Sequence, residues 1–376
     1  MLRLLAKALR GRRLRMWLAT AGVAVCTLLV TVVASTARSV KSAISDYAGQ
    51  PGVDLWVAPA EADNLIRGSF LSFVPVKALD SIRAIPGVAA ADPIQEAFLQ
   101  VQRPGETDPR RRLTLLTIGH VRPAGLGGPP VVREGQAPTA LGEVALDRAA
   151  AYRLGVGVDD TIEVGGVLVV VSGLTSGTNI MATQFLFTDF DIVAIGSRAL
   201  GQAAFVLVRL EAGGDRDAVV AEIERQNPKL RAYTREVFAA ANEREISAGF
   251  LPLLTLSTAL ALGTATLVVG LLVLSVVDER QADISVLLAL GAGSRAVGAG
   301  VLTSAALMSL RGALSGVGLA YALSFALDAW LPTIPLRIGA ADVLVITALF
   351  VATGAAAAVA PVVFLGRIDP LEAFRS

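Results

Sequence analysis

The stretch that decides the fold reads D-E-R-Q-A-D-I-S-V-L-L-A-L-G-A-G-S-R and runs from Asp278 to Arg295. It separates two long apolar segments, Phe250–Val277 with no charged residue and Ala296–Leu327 with Arg311 as its one charge. Uninterrupted apolar runs of about 18 residues or more are typical of membrane-spanning helices. The stretch between them is therefore predicted to be a loop at the membrane edge.

This loop has helical character of its own. Its apolar and small residues recur at the i, i+3, i+4, i+7 spacing that marks one face of a helix, at Ile284, Leu287, Leu288 and Gly291. Gly291 and Gly293 then predict the end of that helix. A short amphipathic helix at this place can lie on the membrane surface or dock in the groove of a partner protein.

The composition indicates a few membrane spans together with a soluble domain. Of 376 residues, 54% are hydrophobic and 17% are charged, and the mean hydropathy is +0.62, an unusual balance for either class alone. The net charge of +1 gives no sign of nucleic-acid binding. One cysteine, Cys26, and one histidine, His120, exclude a disulfide framework and a cluster of histidine ligands for a metal.

Charge and hydropathy predict four spans. Six basic residues and no acidic one precede the uncharged run Met16–Ala37, and basic flanks stay in the cytoplasm, so the first span leads outward. A cleaved signal peptide is the alternative, although a run of 22 residues is long for a signal core. The two apolar segments around the loop are the second and third spans, and Val343–Leu365 is the fourth. Both termini are then cytoplasmic, and residues 38–249 lie outside.

Residues 38–249 are predicted to form an α+β domain. Short runs rich in Val, Ile and Phe between turn residues indicate strands, and Gly165-Gly166 predicts a hairpin turn. The Pro- and Gly-rich segment His120–Gly142 predicts a long surface loop. Strands mixed with helices favour the α+β class. The predicted strands are Asp54–Val57, Ala97–Val101, Leu113–Ile118, Thr161–Val164, Val167–Val171, Phe185–Thr188 and Ala204–Leu210, and the predicted helices are Val76–Ile85, Arg216–Gln226 and Thr234–Ala248.

The domain carries no short catalytic motif, neither H-E-x-x-H nor G-x-S-x-G. Asp189 and Asp191, at i and i+2 of a strand-like run, are predicted to share one face. They are either a cation or acid–base pair or, as we favour without a third ligand nearby, a solvated strand edge. Arg110–Arg112 is either a contact for anionic lipid or phosphate or a solvated loop. Thr175–Thr183 is predicted to be a flexible polar loop.

The third span carries two features of interest. Gly312 and Gly316 form a G-x-x-x-G motif, which allows two helices to pack closely in a membrane. Arg311 lies near the middle of the span, where a charge costs about 2.5–3.5 kcal/mol on insertion scales, so we expect it to face the helix bundle or a watery cleft. It is either an intramembrane polar site in a transport path or an arginine that pairs with a carbonyl or reaches the interface.

The loop resembles the segment after the second span of MacB/FtsX-type ABC transporter permeases. Arg280, Asp283-Ile284 and Leu287–Ala292 match the family pattern, whereas Leu288 stands where the family usually has Arg. In that family the segment is the coupling helix that meets the cytoplasmic ATPase. The resemblance therefore implies an ATPase-coupling role for Glu279, Arg280, Asp283, Ile284, Leu287, Leu290 and Gly291.

The rest of the chain resembles the same family. The tail Asp369–Arg375 (D-P-L-E-A-F-R) is similar to its C-terminal signature, and Ser304 stands where the third span usually has an acidic residue. In the domain, Gln136 and Asp159 depart from the MacB-type periplasmic core domain. The segments that follow its order are Ile85-Pro86-Gly87-Val88, Gly135-Gln136, Glu143–Leu146, Leu154-Gly155 and Asp159–Ile162.

The resemblance implies a four-helix transmembrane bundle, one N-terminal and three C-terminal spans, with an α+β extracytoplasmic domain. Residues 1–37 would be the basic N-terminus and first span, and residues 38–249 the MacB-like core domain. Residues 250–376 would be the FtsX-like part, with the coupling loop 278–295 and a cytoplasmic tail. We expect a multi-pass protein of the plasma (inner) membrane with both termini in the cytoplasm.

The resemblance also implies a non-catalytic permease subunit. No G-x-x-x-x-G-K-[ST] is present, so we expect no cofactor or metal on this chain, with ATP and Mg on a partner ABC ATPase. Four spans are half of what the family uses, so the other partners are a second copy or a homologous permease, membrane lipid and an extracytoplasmic protein, without nucleic acid. Export of a hydrophobic compound, peptide, lipid or lipoprotein is the first reading. The alternatives are mechanotransmission to a partner such as a cell-wall hydrolase, without transport, and a sensor without an ATPase.

Overall fold

The computed structural model of the protein describes residues 2–71, 73–122, 125–180, 183–279, 294–330, 333, 336–359 and 363. The chain divides into two compact units. The helical unit comprises Met1–Ala37, Pro252–Leu327 and Leu336–Ser376, and the domain unit comprises Arg38–Leu251 and Asp328–Pro335. The helices are α1 (Leu2–Ala48), α2 (Leu65–Leu71), α3 (Ala78–Arg83), α4 (Arg148–Leu154), α5 (Phe190–Gly196), α6 (Arg216–Gln226), α7 (Arg235–Glu279), α8 (Ser294–Trp330) and α9 (Ala340–Ala357).

Three helices of the described residues are long and apolar enough to cross a membrane. These are Thr20–Ala48 of α1, Gly298–Asp328 of α8 and Ala340–Ala357, which is α9. The predicted second span lies inside α7, where the described apolar stretch is Thr255–Val268. The count of four spans therefore stays a prediction, whereas a chain with several apolar helices and an α+β domain is confirmed.

Helix α1 continues beyond the predicted end of the first span at Ala37. It ends at Ala48, directly before Gly49, and Pro51 follows. The intervening residues contain neither Gly nor Pro, so nothing in the sequence interrupts the helical hydrogen bonds before that point. The first helix consequently supplies residues to both units.

The domain unit is built on a four-stranded antiparallel sheet in the order β12-β1-β11-β3. With α3 between β1 and β3, and α6 between β11 and β12, the order of elements is βαβ–βαβ, the split arrangement of ferredoxin-like domains. The strands are β1 (Leu55–Pro59), β2 (Val74–Pro75), β3 (Val88–Gln102), β4 (Leu113–His120), β5 (Val132–Gly135), β6 (Glu143–Asp147), β7 (Thr161–Val164), β8 (Val167–Thr175), β9 (Phe185–Asp189), β10 (Gln202–Ala203), β11 (Phe205–Leu210) and β12 (Leu230–Thr234).

A closed barrel is inserted between the two halves of this sheet. Going round the ring, β3 pairs with β4, β4 with β9, β9 with β6, β6 with β8, β8 with β7, and β7 again with β3. Closure of the ring leaves no free edge on these six strands, apart from an extra pairing of β8 with β5. The strand β3 is 15 residues long because its first half pairs with β11 and its second half belongs to the barrel.

Two separate apolar cores follow from this plan. One fills the barrel and includes Leu99, Val101 and Leu146, and the other lies between the four-stranded sheet and α3 and α6 and includes Ile82 and Ile223. Alternate residues of β8 face the core of the barrel and its outside, since Val169 and Val171 are buried and Leu168 and Val170 are exposed. A third core of aromatic residues is described with the candidate site.

Two of the sequence expectations for the domain were incomplete. The segment His120–Gly142 is not a loop throughout, because His120 ends β4 and Val132–Gly135 forms β5. The residues of β5 are mostly exposed, and their strand conformation comes from pairing with β8 rather than from an apolar pattern. The strand β12 was also missed, since Leu230 and the small Ala232 are its only buried residues and give a weak apolar pattern.

Candidate functional site

The predicted coupling loop lies almost entirely outside the described residues. The described helix α7 ends at Glu279, and α8 begins at Ser294. The tail Asp369–Arg375 also lies outside them. The coupling role therefore stays a prediction, and the residues that fall in the interval are Arg280, Asp283, Ile284, Leu287, Leu290 and Gly291.

Gly312 and Gly316 lie where α8 meets α1. A Cβ atom built on Gly312 would be 2.6 Å from the Cβ of Val23, and one on Gly316 would be 2.7 Å from the Cβ of Thr27 and against the carbonyl oxygen of Ala24. Such approaches are closer than ordinary van der Waals contact, so only glycine fits at these two positions. The spacing of four residues places both on the same face of α8.

Helix α8 has a second close contact, with α9. A Cβ atom on Gly354 would be 2.7 Å from the Cβ of Ser309, whose side chain is fully buried. Ile346 and Phe350 of α9 are buried in the same apolar cluster as Cys26 of α1. Within the described residues of the helical unit, α8 therefore packs between α1 and α9, and Cys26 is a packing residue there.

The Arg311 side chain is exposed in the single chain, as far as the described residues show. Its neighbours Gly312 and Ala313 are buried against α1, whereas Leu314 is half exposed. The face of α8 that packs on α1 is therefore the one with the small residues, and the expectation that Arg311 faces the bundle or a watery cleft stays a prediction. A role as an intramembrane polar site stays a prediction.

Asp189 is a structural residue and does not share a strand face with Asp191. It ends β9 and caps α5, its Oδ1 accepting the backbone N–H of Asp191 at 2.9 Å. Its Oδ2 accepts from Nε of Arg122 at 2.6 Å, in an ion pair of which both side chains are largely buried. The expected strand pair is wrong because the chain turns from strand to helix at this residue. Among the described residues no group of three or more His, Cys, Asp or Glu side chains is placed to hold a metal.

The other two polar segments of the domain differ from each other. Arg110 and Arg111 lie in a short 3-10 turn that Arg112 follows, and Arg111 is exposed with a loose ion pair to Glu106 at 3.6 Å. By contrast, Thr175 and Thr178 are fully buried and hydrogen-bonded to each other at 2.7 Å. The expectation of a flexible polar loop over Thr175–Thr183 is therefore wrong for its described part.

The strongest candidate for a functional site is a junction inside the domain unit, where the end of α1 and the start of α7 are fixed to the sheet. Trp56 of β1 stacks on Phe238 of α7 with ring centres 4.3 Å apart and planes 9° apart. The Nε1 of Trp56 donates to the carbonyl of Ala48, the last residue of α1, at 2.9 Å. Tyr47 and Phe205 complete edge contacts to the same indole. One tryptophan thus joins both long helices to the domain.

Polar contacts close the same junction. Asn242 of α7 is buried, its Oδ1 accepts the N–H of Leu65 at 3.0 Å, and its Nδ2 donates to the carbonyl of Phe238 at 2.8 Å. Lys41 of α1 and Glu243 of α7 form an ion pair of 2.6 Å at the surface. The ends of the two helices are therefore held to each other and to the domain, which suits them to move together with it.

Sequence reasoning missed these junction residues. The composition shows only that aromatic residues make up 5% of the chain, and this does not indicate that several of them meet at one place in the fold. Within α7, Phe238 and Asn242 stand at i and i+4, so they share a face, but their partners are far away in the sequence. His120, the one histidine, is also buried, and burial lowers its pKa so that the neutral ring is favoured.

Two family models match the chain. The MacB-like periplasmic core domain matches residues 16–226, which is more than half of the chain, and the FtsX-like permease C-terminal domain matches residues 255–370. The two models follow one another in the order expected from the loop, domain and tail motifs.

Similar proteins are found among curated sequences and solved structures. Two uncharacterized ABC transporter permeases of Mycobacterium tuberculosis, from strains CDC 1551 / Oshkosh and H37Rv, are each 28% identical over 342 residues, 86% of this chain and 84% of the relative. The extracellular domain of the noncanonic ABC-type transporter YknZ from Gram-positive bacteria covers 48% of this chain and 98% of that structure, with 12% identity and a TM-score of 0.36. The periplasmic region of MacB from Actinobacillus actinomycetemcomitans covers 51% and 94%, with 10% identity and a TM-score of 0.39. By its two family models, this chain belongs to the MacB/FtsX-type family of ABC transporter permeases.

Proposed function

We propose that this chain is a permease subunit that couples ATP hydrolysis on a separate cytoplasmic subunit to movement of its own extracytoplasmic domain. The observation that carries the proposal is the continuity of α7. This single helix begins in the domain junction at Arg235 and runs 45 residues to Glu279, where the predicted coupling loop begins. At about 1.5 Å per residue it is about 67 Å long, roughly twice the hydrocarbon core of a bilayer.

A helix transmits a displacement only if both of its ends are held. At the domain end, the stacked pair of Trp56 and Phe238 and the buried Asn242 supply that hold. At the other end, the ATPase would hold the loop 278–295, through Asp283, Ile284 and Leu287 above all. When ATP binding closes two ATPase subunits, each loop moves, and α7 carries the shift to the domain.

Association with a second copy or a homologous permease follows from the same scheme, because two ATPase subunits need two coupling loops. In this scheme ATP is bound and hydrolysed on the partner subunit, and the chain itself would be non-catalytic. We place the domain outside the plasma (inner) membrane and both termini in the cytoplasm, on the strength of the basic N-terminus and the arginines of the tail.

The test is co-purification. We would purify the detergent-solubilised wild-type chain from native membranes and compare it with a variant in which residues 283–290 are all alanine. A matched control replaces Arg110, Arg111 and Arg112 by alanine on the domain surface. We expect a nucleotide-hydrolysing chain with the wild type and the control but not with the loop variant. If the ATPase still co-purifies with the loop variant, the coupling role of the loop is wrong. If no such partner co-purifies with the wild type in several detergents, the proposal is contradicted and the sensor reading is favoured.

For the outcome of the coupling we propose export of a hydrophobic compound, peptide, lipid or lipoprotein. Mechanotransmission to an extracytoplasmic hydrolase is the second candidate, since a domain clamped at Trp56 transmits force whether or not a cargo moves. Deletion of the gene separates the two. Increased sensitivity to, or retention of, an apolar compound supports export, whereas altered cell-wall cleavage without such a phenotype supports mechanotransmission.

A further inference from the structure

The end of α8 and part of the connection from α8 to α9 belong to the domain unit. We call the described residues there, Asp328–Trp330 at the end of α8 and Thr333 after it, the return segment. A connection that only bridged two spans would need no contact with the domain. The return segment nevertheless makes two polar contacts with the barrel.

Arg148, the first residue of α4, makes the first contact. Its Nη2 donates to the carbonyl oxygen of Asp328 at 3.2 Å, and its Nη1 lies 3.5 Å from the Oδ1 of the same residue. Its Nε lies 3.7 Å from a carboxylate oxygen of Glu134 on β5. The guanidinium thus bridges the barrel and the return segment, with 28% of its side chain exposed.

Asn179 makes the second contact. Its Nδ2 donates to the carbonyl oxygen of Thr333 at 3.0 Å, and the residue is 5% exposed. The other end of the amide is already used, because its Oδ1 accepts from Nε2 of Gln184 at 3.2 Å. Gln184 in turn accepts from Nη1 of Arg153 at 3.3 Å. This chain of hydrogen bonds fixes which way the Asn179 amide points.

One buried cluster positions both contacts. Asp147 caps α4, its Oδ1 accepting the N–H of Ala149 at 2.8 Å, and its Oδ2 accepts from the hydroxyl of Thr178 at 2.6 Å. The first bond orients the helix that begins with Arg148, and the second holds the segment that carries Asn179. Asp147 and Thr178 are both buried, so the cluster is a rigid base rather than a surface contact.

We propose that Arg148 and Asn179 clamp the return segment to the barrel and so connect the extracytoplasmic domain mechanically to α8 and α9, in addition to its continuity with α1 and α7. The clamp is a positioning device and touches no substrate. It rests on the proposed function, because a third connection transmits motion only if the ATPase drives the helices. The domain would then respond to the relative displacement of all the helices, not of two alone.

The test compares the wild-type complex with the double variant Arg148→Gln and Asn179→Asp. Asparagine to aspartate is isosteric and keeps the acceptor for Gln184 while it removes the donor to Thr333. The matched control is Arg225→Gln, which loses an exposed arginine paired with Glu222 on α6 instead. Amide hydrogen exchange is followed by mass spectrometry in the full chain with its co-purified ATPase, without nucleotide and after turnover of ATP with vanadate, which traps the ADP formed; this second state is called trapped ATP below.

Without nucleotide, each lost hydrogen bond should raise the equilibrium constant for local opening by about 2- to 10-fold. The rate of amide exchange in residues 328–339 should therefore rise by at least about twofold in the double variant and not in the control. Unchanged exchange there would overturn the clamp. With trapped ATP, the wild-type response in residues 148–154 should fall by about half or more in the double variant, while the response in residues 235–242 persists. A full response in residues 148–154 would overturn the mechanical role. If exchange in the wild type does not respond to nucleotide in residues 148–154 or in residues 235–242, both the proposed function and the mechanical role of the clamp are wrong. The comparison without nucleotide still tests whether the two hydrogen-bonded contacts hold the return segment.

Discussion

The close packing of α8 against α1 can be tested with one added methyl group. In Gly316→Ala the new Cβ would lie against the backbone carbonyl of Ala24 and 2.7 Å from the Cβ of Thr27. Backbone cannot rotate away, so the two helices must separate, and overpacking of this kind costs about 1–3 kcal/mol. Alanine also gains about 1 kcal/mol of helix propensity over glycine, which partly hides that cost.

The matched control removes the propensity term. Gly318 lies two residues further along the same helix, and a Cβ there meets nothing within 4 Å. The difference between the free energies of unfolding of Gly316→Ala and Gly318→Ala should therefore report the steric cost alone, and we expect the Gly318 variant to be more stable by about 1–3 kcal/mol. Unfolding by titration with SDS in mixed micelles, followed by tryptophan fluorescence, measures the difference. Equal stabilities of the two variants would refute the reasoning, because the contact between α8 and α1 would then not restrict residue 316.

Three further predictions concern the domain. Asn242→Leu removes two hydrogen bonds of a buried side chain, one from the Leu65 N–H and one to the Phe238 carbonyl, and at about 0.5–1.5 kcal/mol each it should lower the free energy of unfolding by about 1–3 kcal/mol. Lys41→Gln breaks an ion pair whose side chains are 44% and 41% exposed, so it should cost no more than about 1 kcal/mol, and chemical denaturation that ranks it above Asn242→Leu would contradict the description of the junction. Burial raises the pKa of the Asp147 carboxyl group, so its contribution to the free energy of unfolding is fully present below its ordinary pKa of 3.8 and is lost as the pH rises through the higher pKa of the folded state. Asp147→Asn should remove this part of the pH dependence of the thermal midpoint. An unchanged pH profile in the variant would contradict the prediction.

Elements with strong local patterns could be predicted from the sequence. Val167–Val171 was expected as a strand from its continuous Val and Leu residues, and it lies inside β8. The hairpin at Gly165-Gly166 was expected as well. Both glycines have positive φ angles, 57° and 91°, which residues with a side chain rarely adopt. Arg216–Gln226 was expected as a helix and is α6, capped by Asp215.

What could not be predicted depends on contacts between residues distant in sequence. Trp56 and Phe238 stack across more than 180 residues, and no local pattern in either segment indicates the partner. Asp189 was misread because the i, i+2 spacing of two carboxylates fits a strand face and a helix cap equally well, and only the turn from β9 to α5 decides between them. The environment of Arg311 stays a prediction for a related reason, since a charge in an apolar run does not say which face of the helix packs.

The most direct test of the central claim, that nucleotide on a cytoplasmic ATPase moves the outer domain, is a comparison of amide exchange in residues 235–251 of α7. It would be made on the co-purified complex without nucleotide and after turnover of ATP with vanadate, which traps ADP on the ATPase, with α6, residues 216–226, as the internal reference in the same sample. The coupling mechanism predicts a nucleotide-dependent change of exchange in residues 235–251 that exceeds any change in α6. Equal exchange in both nucleotide states, in a complex that hydrolyses ATP, would contradict it.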